Sequence, residues 1–252
     1  MTEPVAISVT DLSAHAGGLI EVAAATHIGP VRTENQDAFA AIALPGGGVG
    51  VLVADGMGGM PGGGEAAQAA SAAAIDVLGA PGGPDMLGAV LAANRALSRL
   101  REAIGGNPGT TLTLAAVRGG RADIGHAGDS RAYLVRNGVA TVLTSDHSWV
   151  GERVRSGELP AGSERRHPRR NIITTAVMGD PIEPELASTG LQRGDVLVLC
   201  SDGFWEPLED DHIAALLDAP GPLTAVVERA AAAALDAGAT DNVTLLALRV
   251  AG

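Results

Sequence analysis

Short apolar runs separated by glycine-containing turns, with two pairs of amphipathic helices among them, most strongly restrict what this chain can fold into. The strand-like runs outnumber the helices. Two sheets packed face to face, with helices covering their outer faces, would bury the apolar side of every element. The predicted strands cover residues 19–29, 39–44, 49–54, 110–117, 121–126, 131–136, 139–143, 172–177, 186–189, 196–200 and 243–250. The predicted helices cover residues 65–78, 85–104, 209–218 and 222–236.

The same pattern predicts the domain organisation. Residues 1–18 mix polar residues with Ala and Gly, and we interpret them as a flexible leader. Residues 19–252 contain no internal repeat and no linker that would divide them, so we expect a single domain. The polar, arginine-rich stretch 147–170 is predicted to be an insert on the surface of this domain.

Charge and composition exclude several kinds of function. The formal net charge is −12, which repels nucleic-acid backbones and anionic membranes and suits the binding of divalent cations. All 17 basic residues are arginine. A phosphate-binding loop of the Walker type and Schiff-base chemistry both need lysine, so both are excluded.

Cysteine usage and hydropathy bear on cellular location. Cys200 is the only cysteine, so no disulfide can form within the chain, which suits a reducing cytosol. The N-terminus lacks a signal-peptide pattern, and no apolar run approaches the ~20 residues of a membrane helix. We expect a cytoplasmic monomer without nucleic-acid or membrane partners, although the sequence could be a soluble piece of a longer membrane protein.

Five aspartates share one kind of position, where an apolar strand meets a turn. Two carboxylates about 4 Å apart repel by roughly 4 kcal/mol at an effective dielectric of 20, so several can share a site only if protons or cations offset their charge. Oxygen ligands without His or Cys favour Mg²⁺ or Mn²⁺. One such aspartate alone is better explained as a turn residue, an alternative that weakens when five recur. The five are Asp37, Asp55, Asp129, Asp202 and Asp241.

Six motifs surround these aspartates, in one order, from about residue 22 to residue 250. Together they resemble the motifs of the type 2C (PPM) metal-dependent protein serine/threonine phosphatases, in their bacterial form. The motifs are residues 32–37 (RTENQD), 53–59 (VADGMGG), 126–133 (HAGDSRAY), 143–148 (LTSDHS), 200–203 (CSDG) and 240–244 (TDNVT).

The resemblance implies a fold and a set of metal ligands. It implies an α+β chain folded as an αββα sandwich, in which pairs of helices flank two central, mostly antiparallel sheets. It implies two core Mn²⁺ or Mg²⁺ ions, with Asp55, Asp202 and Asp241 as ligands of one. Asp55 bridges to the other ion, together with the Gly56 carbonyl. Asp129 with Asp202 matches a third metal site of bacterial members.

The resemblance also implies the catalytic groups, Arg32, Asp37 and Asp55. Arg32 matches the residue that clasps the substrate phosphate, with a planar fork suited to two phosphate oxygens, although alone it could be a surface ion pair. Asp37 matches the acid that orients a metal-bound water. Some members carry a histidine general acid directly after the Asp-Gly step, where this chain has Met57. We therefore hypothesise that a metal-bound water protonates the leaving group.

The implied function is hydrolysis of phosphoserine and phosphothreonine in proteins by a water that bridges two metal ions, reversing a bacterial serine/threonine kinase. The implied partners are phosphorylated proteins of a kinase pathway. Two alternatives stay open: a dedicated regulatory phosphatase of one phosphoprotein switch, and a catalytically inactive module that binds phosphoproteins. The presence of all five aspartates disfavours the inactive module.

The remaining candidate residues have competing interpretations. The basic run in 147–170 is either a solvated loop or, by the resemblance, part of a flap beside the active site that selects phosphopeptides. We interpret His126 and His147 as structural, and Cys200 as a buried strand residue. The candidate substrate-binding arginines of the flap are Arg165, Arg166, Arg169 and Arg170.

Overall fold

The computed structural model describes residues 6–13, 20–57, 62–104 and 106–251, and within them eleven strands form two antiparallel sheets. The six-stranded sheet has the order β1-β2-β11-β10-β7-β8, and the five-stranded sheet has the order β3-β4-β5-β6-β9. The strands are β1 (Ser8–Asp11), β2 (Ile20–His27), β3 (Asp37–Ala43), β4 (Val49–Asp55), β5 (Leu112–Arg118), β6 (Arg121–Ala127), β7 (Arg131–Arg136), β8 (Val139–Val142), β9 (Glu185–Gly190), β10 (Val196–Cys200) and β11 (Val243–Val250).

Helices cover the outer face of each sheet. The pair α1 and α2 packs on the five-stranded sheet, while α4, α5 and α6 pack on the six-stranded sheet. The helices are α1 (Gly63–Leu78), α2 (Met86–Ile104), α3 (Trp149–Arg155), α4 (Asp202–Trp205), α5 (Asp210–Leu217) and α6 (Leu223–Asp236). The result is the predicted αββα sandwich of the α+β class.

Small aliphatic side chains fill the three apolar layers of this sandwich, because aromatic residues make up only 2% of the chain. In α1, the fully buried residues Ala66, Ala70 and Ala74 recur at helical spacing and let the helix lie close to the five-stranded sheet. Between the sheets, Val51 and Leu246 belong to a layer dominated by Val, Leu and Ala. Truncating a leucine of such a layer to alanine typically costs about 2–5 kcal/mol.

Several local predictions are confirmed. The turn Asn137-Gly138 has φ values of 52° and 74°, the left-handed conformation that a two-residue hairpin turn requires. The turn Gly119-Gly120 also has positive φ at both residues. All strand pairs among the described residues are antiparallel.

Two local predictions differ from the structure. Residues 172–177 are not a strand: Ile173 and Val177 make single bridges to Ser148 and Thr110, two partners in different parts of the chain. The strand β1 lies inside the stretch expected to be a flexible leader, where it pairs with the edge of β2. Residues 1–5 and 14–18 of that stretch lie outside the described residues.

The domain boundary between residues 18 and 19 stays a prediction. The surface insert at 147–170 also stays a prediction; this stretch contains α3 and a short 3₁₀ turn at Ser163–Arg165. No helix within the described part of the chain has both the length and the hydropathy needed to cross a membrane.

Candidate active site

The five predicted aspartates lie at one end of the sandwich, where loops from both sheets meet. Asp37 begins β3 and Asp55 ends β4, and the two are paired across the antiparallel ladder. Asp202 follows β10 as the first residue of α4, and Asp241 lies two residues before β11. Asp129 lies in the connection from β6 to β7, which crosses from one sheet to the other. We call these five residues the carboxylate cluster.

A cavity of about 130 Å³ lies between four members of the carboxylate cluster. Arg32 reaches its rim, where Nη2 lies 2.5 Å from Oδ2 of Asp241. Asp37 does not line this cavity. The cavity is lined by Arg32, Asp55, Met57, Thr111, Asp129, Asn171, Ile173, Asp202 and Asp241.

Four acids of this cluster have raised pKa values. Burial raises the pKa of Asp37 to about 7. Burial and then the negative charge of Asp241 raise the pKa of Asp202 to about 6. Burial, followed by the charges of neighbouring cluster members, raises the pKa of Asp55 and of Asp129 well above their ordinary values. The described residues therefore supply too little positive charge for the cluster to ionise easily.

The donor set fits divalent cations. Oδ1 of Asp37 and Oδ1 of Asp202 are buried and accept no hydrogen bond from the described residues, which is costly for a carboxylate unless a ligand satisfies it. Several carboxylates around one small cavity form an all-oxygen set of the kind that Mg²⁺ and Mn²⁺ prefer. The metal-ligand roles predicted for individual residues stay predictions.

Gly56 lies at the edge of the cluster in a place that only glycine can occupy. Its N–H donates to the carbonyl of Gln36 at 3.1 Å, and a Cβ atom there would lie 2.4 Å from the Gly63 carbonyl oxygen. Close packing of backbone on backbone explains why the Asp-Gly step is needed. Gly58 and Gly59 of the same motif lie outside the described residues.

Three uncharged residues position the cluster, a role that the sequence analysis did not predict for them. Asn242 accepts from the N–H of Gln36 at 2.9 Å and donates to the carbonyls of Ile28 and Glu34. Ser201 donates to Oδ2 of Asp37 at 2.8 Å.

Thr111 acts on the opposite side of the cavity. Its Oγ1 accepts from the N–H of Asp55 at 3.0 Å and lies 2.7 Å from Oγ of Ser130, next to Asp129. Asn242 and Ser201 each directly adjoin a cluster aspartate in sequence, which was the signal available for them, whereas Thr111 has no such neighbour.

The four flap arginines do not gather around the carboxylate cluster. Arg165 donates to the carbonyl of Trp205 and, at 2.6 Å, to Asp210. Arg170 pairs with Glu206, and the exposed Arg166 pairs with Glu209 at 2.6 Å.

Arg169 instead lies 4.8 Å above the ring of Trp149, within the flap itself. Arg165 and Arg170 do line a neighbouring pocket of about 260 Å³ that shares Arg32, Asp202 and Asp241 with the site. The role of the four arginines in substrate binding stays a prediction.

A second polar group, His126 with His147 and Glu185, lies close by, with ligand atoms within 4.8 Å of one another. Both ring nitrogens of His126 are already engaged, with Thr113 Oγ1 at 2.9 Å and the Ser145 carbonyl at 3.1 Å. Burial lowers the pKa of His126 to about 4, so its ring is neutral at pH 7. Nδ1 of His147 accepts from the N–H of Gly128 at 3.2 Å, and the contacts of both histidines agree with a structural role.

Cys200 also has the predicted surroundings. It is fully buried on β10, and burial raises the pKa of its thiol. A buried, protonated thiol is a poor nucleophile.

Known proteins match this chain over most of its length. A family model described as protein phosphatase 2C matches residues 27–237. The chain is 34% identical over 234 residues to serine/threonine protein phosphatase PstP of Mycobacterium tuberculosis, which covers 90% of this chain and 44% of PstP. It is 32% identical over 240 residues to protein phosphatase PhpP of Streptococcus pneumoniae, which covers 90% of this chain and 96% of PhpP. The chain thus spans less than half of PstP.

Solved structures agree with these matches. The crystal structure of Mycobacterium tuberculosis PstP has a TM-score of 0.82 at 33% identity and covers 92% of this chain and 99% of that one. The PstP catalytic domain in complex with two manganese ions has a TM-score of 0.80 at 32% identity, with the same coverage. Staphylococcus aureus Stp1 has a TM-score of 0.87 at 27% identity and covers 94% and 97% of the two chains. Fold, motifs and relatives agree, and the chain belongs to the protein phosphatase 2C family.

Proposed function

We propose that this chain hydrolyses phosphoserine and phosphothreonine in proteins with the help of Mn²⁺ or Mg²⁺, and that it reverses a bacterial serine/threonine kinase. The observation that carries the proposal is the meeting of acids from both sheets around one cavity with Arg32 at its rim. The named relatives are protein phosphatases, and one of them binds two manganese ions.

The ligand assignment uses the residues around the cavity. Asp55, Asp202 and Asp241 would hold one core ion, and Asp55 with the Gly56 carbonyl would hold the other. Asp129 with Asp202 would hold a third. When bound, such ions offset phosphoryl charge and lower the pKa of water enough to supply a nucleophile at neutral pH.

The chain's own groups supply orientation and charge. Arg32 presents a planar fork that can bind two oxygens of a phosphate, and its pairing with Asp241 keeps the guanidinium at the cavity. Asp37 is fixed by Ser201 through one oxygen, and its other oxygen, which no described residue contacts by a hydrogen bond, could orient a water by accepting from it.

The wall of the cavity bears on how the leaving group receives its proton. Met57 occupies the wall where some family members carry histidine, and the described residues that line the cavity include none. We infer that a water held in the site protonates the leaving alkoxide. Replacing any single histidine should leave the acidic limb of the pH–rate profile in place, and loss of that limb in one such variant would contradict this.

The test is phosphate release from an aryl phosphate and from phosphothreonine peptides, measured with and without Mn²⁺. Asp202→Asn should abolish Mn²⁺-dependent turnover of both. Asp76→Asn, on the exposed side of α1 far from the cavity, is the matched control and should retain it. No turnover of either substrate by the unaltered chain at saturating Mn²⁺ would favour the inactive binding module. Turnover of one phosphoprotein alone would favour a dedicated regulatory phosphatase.

For peptide selection, we propose that the exposed Arg166 and Arg169 contribute rather than Arg165 and Arg170. The last two are held by Trp205, Asp210 and Glu206 beneath the flap. Replacing Arg166 and Arg169 together by serine should lower kcat/KM for acidic phosphopeptides and leave the aryl phosphate unchanged. Equal effects on both substrates would exclude this role.

The partners and the cellular location are part of the same proposal. Phosphorylated proteins are the proposed partners, and the cytoplasm is the proposed location. A chain with one buried cysteine and no possible internal disulfide suits a reducing compartment.

A further inference from the structure

Trp205 contacts both the flap and the carboxylate cluster. It lies on α4, three residues after Asp202, and its side chain is almost completely buried. Its indole N–H donates to the backbone carbonyl of Asp129 at 3.0 Å. This bond fixes the peptide plane that follows Asp129, so the indole helps to determine where that carboxylate lies.

On one side the indole of Trp205 contacts Arg131, which is itself held by hydrogen bonds. The guanidinium of Arg131 lies 3.5 Å from the centre of the Trp205 ring, close enough for a cation–π interaction. Arg131 is held in turn by two hydrogen bonds to Asp146, of 2.8 Å and 2.7 Å, and by one to the hydroxyl of Tyr133. Arg131 and Asp146 are both buried, so this support cannot move without breaking a buried ion pair.

The other contact comes from the flap. Arg165 donates to the carbonyl of Trp205, and its guanidinium lies 5.4 Å from the ring centre. Its side chain is only 7% exposed because the flap is docked. Lifting the flap would remove this arginine from Trp205 and admit water beside the indole.

From these contacts we propose that Trp205 is a positioning residue that couples docking of the flap to the placement of Asp129. The inference rests on the proposed function, because it assumes that Asp129 helps to hold a cation. A docked flap would then favour the cation site that Asp129 serves over the sites of Asp55 and Asp241.

The test is calorimetric titration of the metal-free chain with Mn²⁺. Trp205→Phe keeps an aromatic face for Arg131 and removes the N–H. Loss of a residue that orients a metal ligand typically weakens binding about 10–100-fold, so we expect about a tenfold weakening of the one binding event that Asp129→Asn removes, with the other two unchanged. Arg165→Leu, which leaves the indole intact, should weaken the same event.

Two matched controls lie in the flap itself. Trp149→Phe makes the same chemical change in an indole that packs on His167 and Arg153. Arg153→Leu removes an arginine that contacts Trp149 and Glu158 rather than Trp205. Both should bind all three ions as the unaltered chain does. Trp149→Phe leaves Trp205 as the one tryptophan of the sequence. Adding Arg165→Leu should admit water beside its indole, and the fluorescence emission should then shift to longer wavelength.

Unchanged affinities in Trp205→Phe, or equal weakening of all three events, would overturn the coupling. If Trp205→Phe does not fold, as judged by thermal unfolding, Arg165→Leu decides alone. A chain that binds only two ions, with Asp129→Asn binding the same two, would also overturn it while leaving the proposed function in place. Absence of any Mn²⁺ binding would instead overturn the proposed function itself.

Discussion

Two buried charged regions lie side by side at the active end of the sandwich, and their charges are balanced differently. In the carboxylate cluster, acids face one another, and Asp37 and Asp202 each keep a buried oxygen that has no hydrogen-bond partner among the described residues. In the neighbouring region, Arg131 and Asp146 form a two-point ion pair. In a buried ion pair of that kind the two side chains offset each other's charge. In the cluster the charge of the carboxylates is offset only when protons or cations bind. The ion pair therefore stabilises the fold, whereas the cluster is arranged to bind a ligand.

The largest expected effect comes from removing a charge of the cluster. Asp202→Asn should lower Mn²⁺-dependent phosphatase activity about ten-thousandfold, the equivalent of about 5 kcal/mol, because cation ligation supplies several kcal/mol of transition-state stabilisation. The same change should raise the thermal stability of the metal-free protein, because it removes a carboxylate that repels its neighbours. A fall in both the activity and the thermal stability would mean that the charges of the cluster are already offset in the metal-free protein, as those of Arg131 and Asp146 are.

The second effect comes from the paired region. Asp146→Asn should lower the free energy of unfolding by about 3–5 kcal/mol, because it leaves the Arg131 charge buried without a counterion. Urea denaturation measures this. Asp180→Asn, which breaks a largely exposed pair with Arg101, should cost less than about 1 kcal/mol. If Asp146→Asn costs no more than that control, the supposed distinction between the two regions is lost.

The third effect concerns pH and metal. Acids whose folded pKa is raised stabilise the protein at low pH and lose that stabilisation as pH rises through the folded pKa. The pKa values of about 7 for Asp37 and about 6 for Asp202 place the loss between about pH 4 and pH 8.

We therefore expect the metal-free protein to lose roughly 2–4 kcal/mol from these groups between pH 5 and pH 8. Saturating Mn²⁺ should reverse the trend, because cations replace the protons. Thermal melting across this pH range, with and without Mn²⁺, checks both statements. Identical pH dependence in the two series would show that cations do not compete for these carboxylates.

The smallest effect comes from Asn242, whose side chain links the loop before β11 to the loop before β3. Asn242→Ala should lower the free energy of unfolding by about 1–3 kcal/mol, because it leaves backbone groups of Ile28, Glu34 and Gln36 unpaired. It should also raise KM for phosphopeptides more than it lowers kcat, since the loop that carries Arg32 loses its anchor. An unchanged KM would show that this loop is held by other contacts.

The sequence predicted the layers of the fold and the identity of the acids for related reasons. Strand periodicity, Gly-containing turns and paired amphipathic helices are local signals, and each cluster aspartate adjoins such a signal. In residues 172–177 the local signal was misleading. Their β-branched composition is typical of a strand, yet Ile173 and Val177 pair with different segments. The edge strand β1 was missed because it is short and mostly exposed.

Contacts between distant side chains were beyond reach. Nothing near Arg165 in sequence indicates that it would lie beside Trp205, forty residues later, rather than bind substrate. The same holds for the bond from Trp205 to the Asp129 carbonyl. Such contacts depend on how the flap and α4 pack, which no local pattern encodes.

The position of the cluster at the junction of the two sheets has a mechanical consequence. Asp37 and Asp55 belong to strands of the five-stranded sheet, whereas Asp202 and Asp241 flank strands of the six-stranded sheet. An ion bound between them would be held by residues of both sheets at once. Sliding or splaying of one sheet against the other would pull the ligands apart, so occupancy of one small cavity would stiffen the whole aliphatic layer behind it.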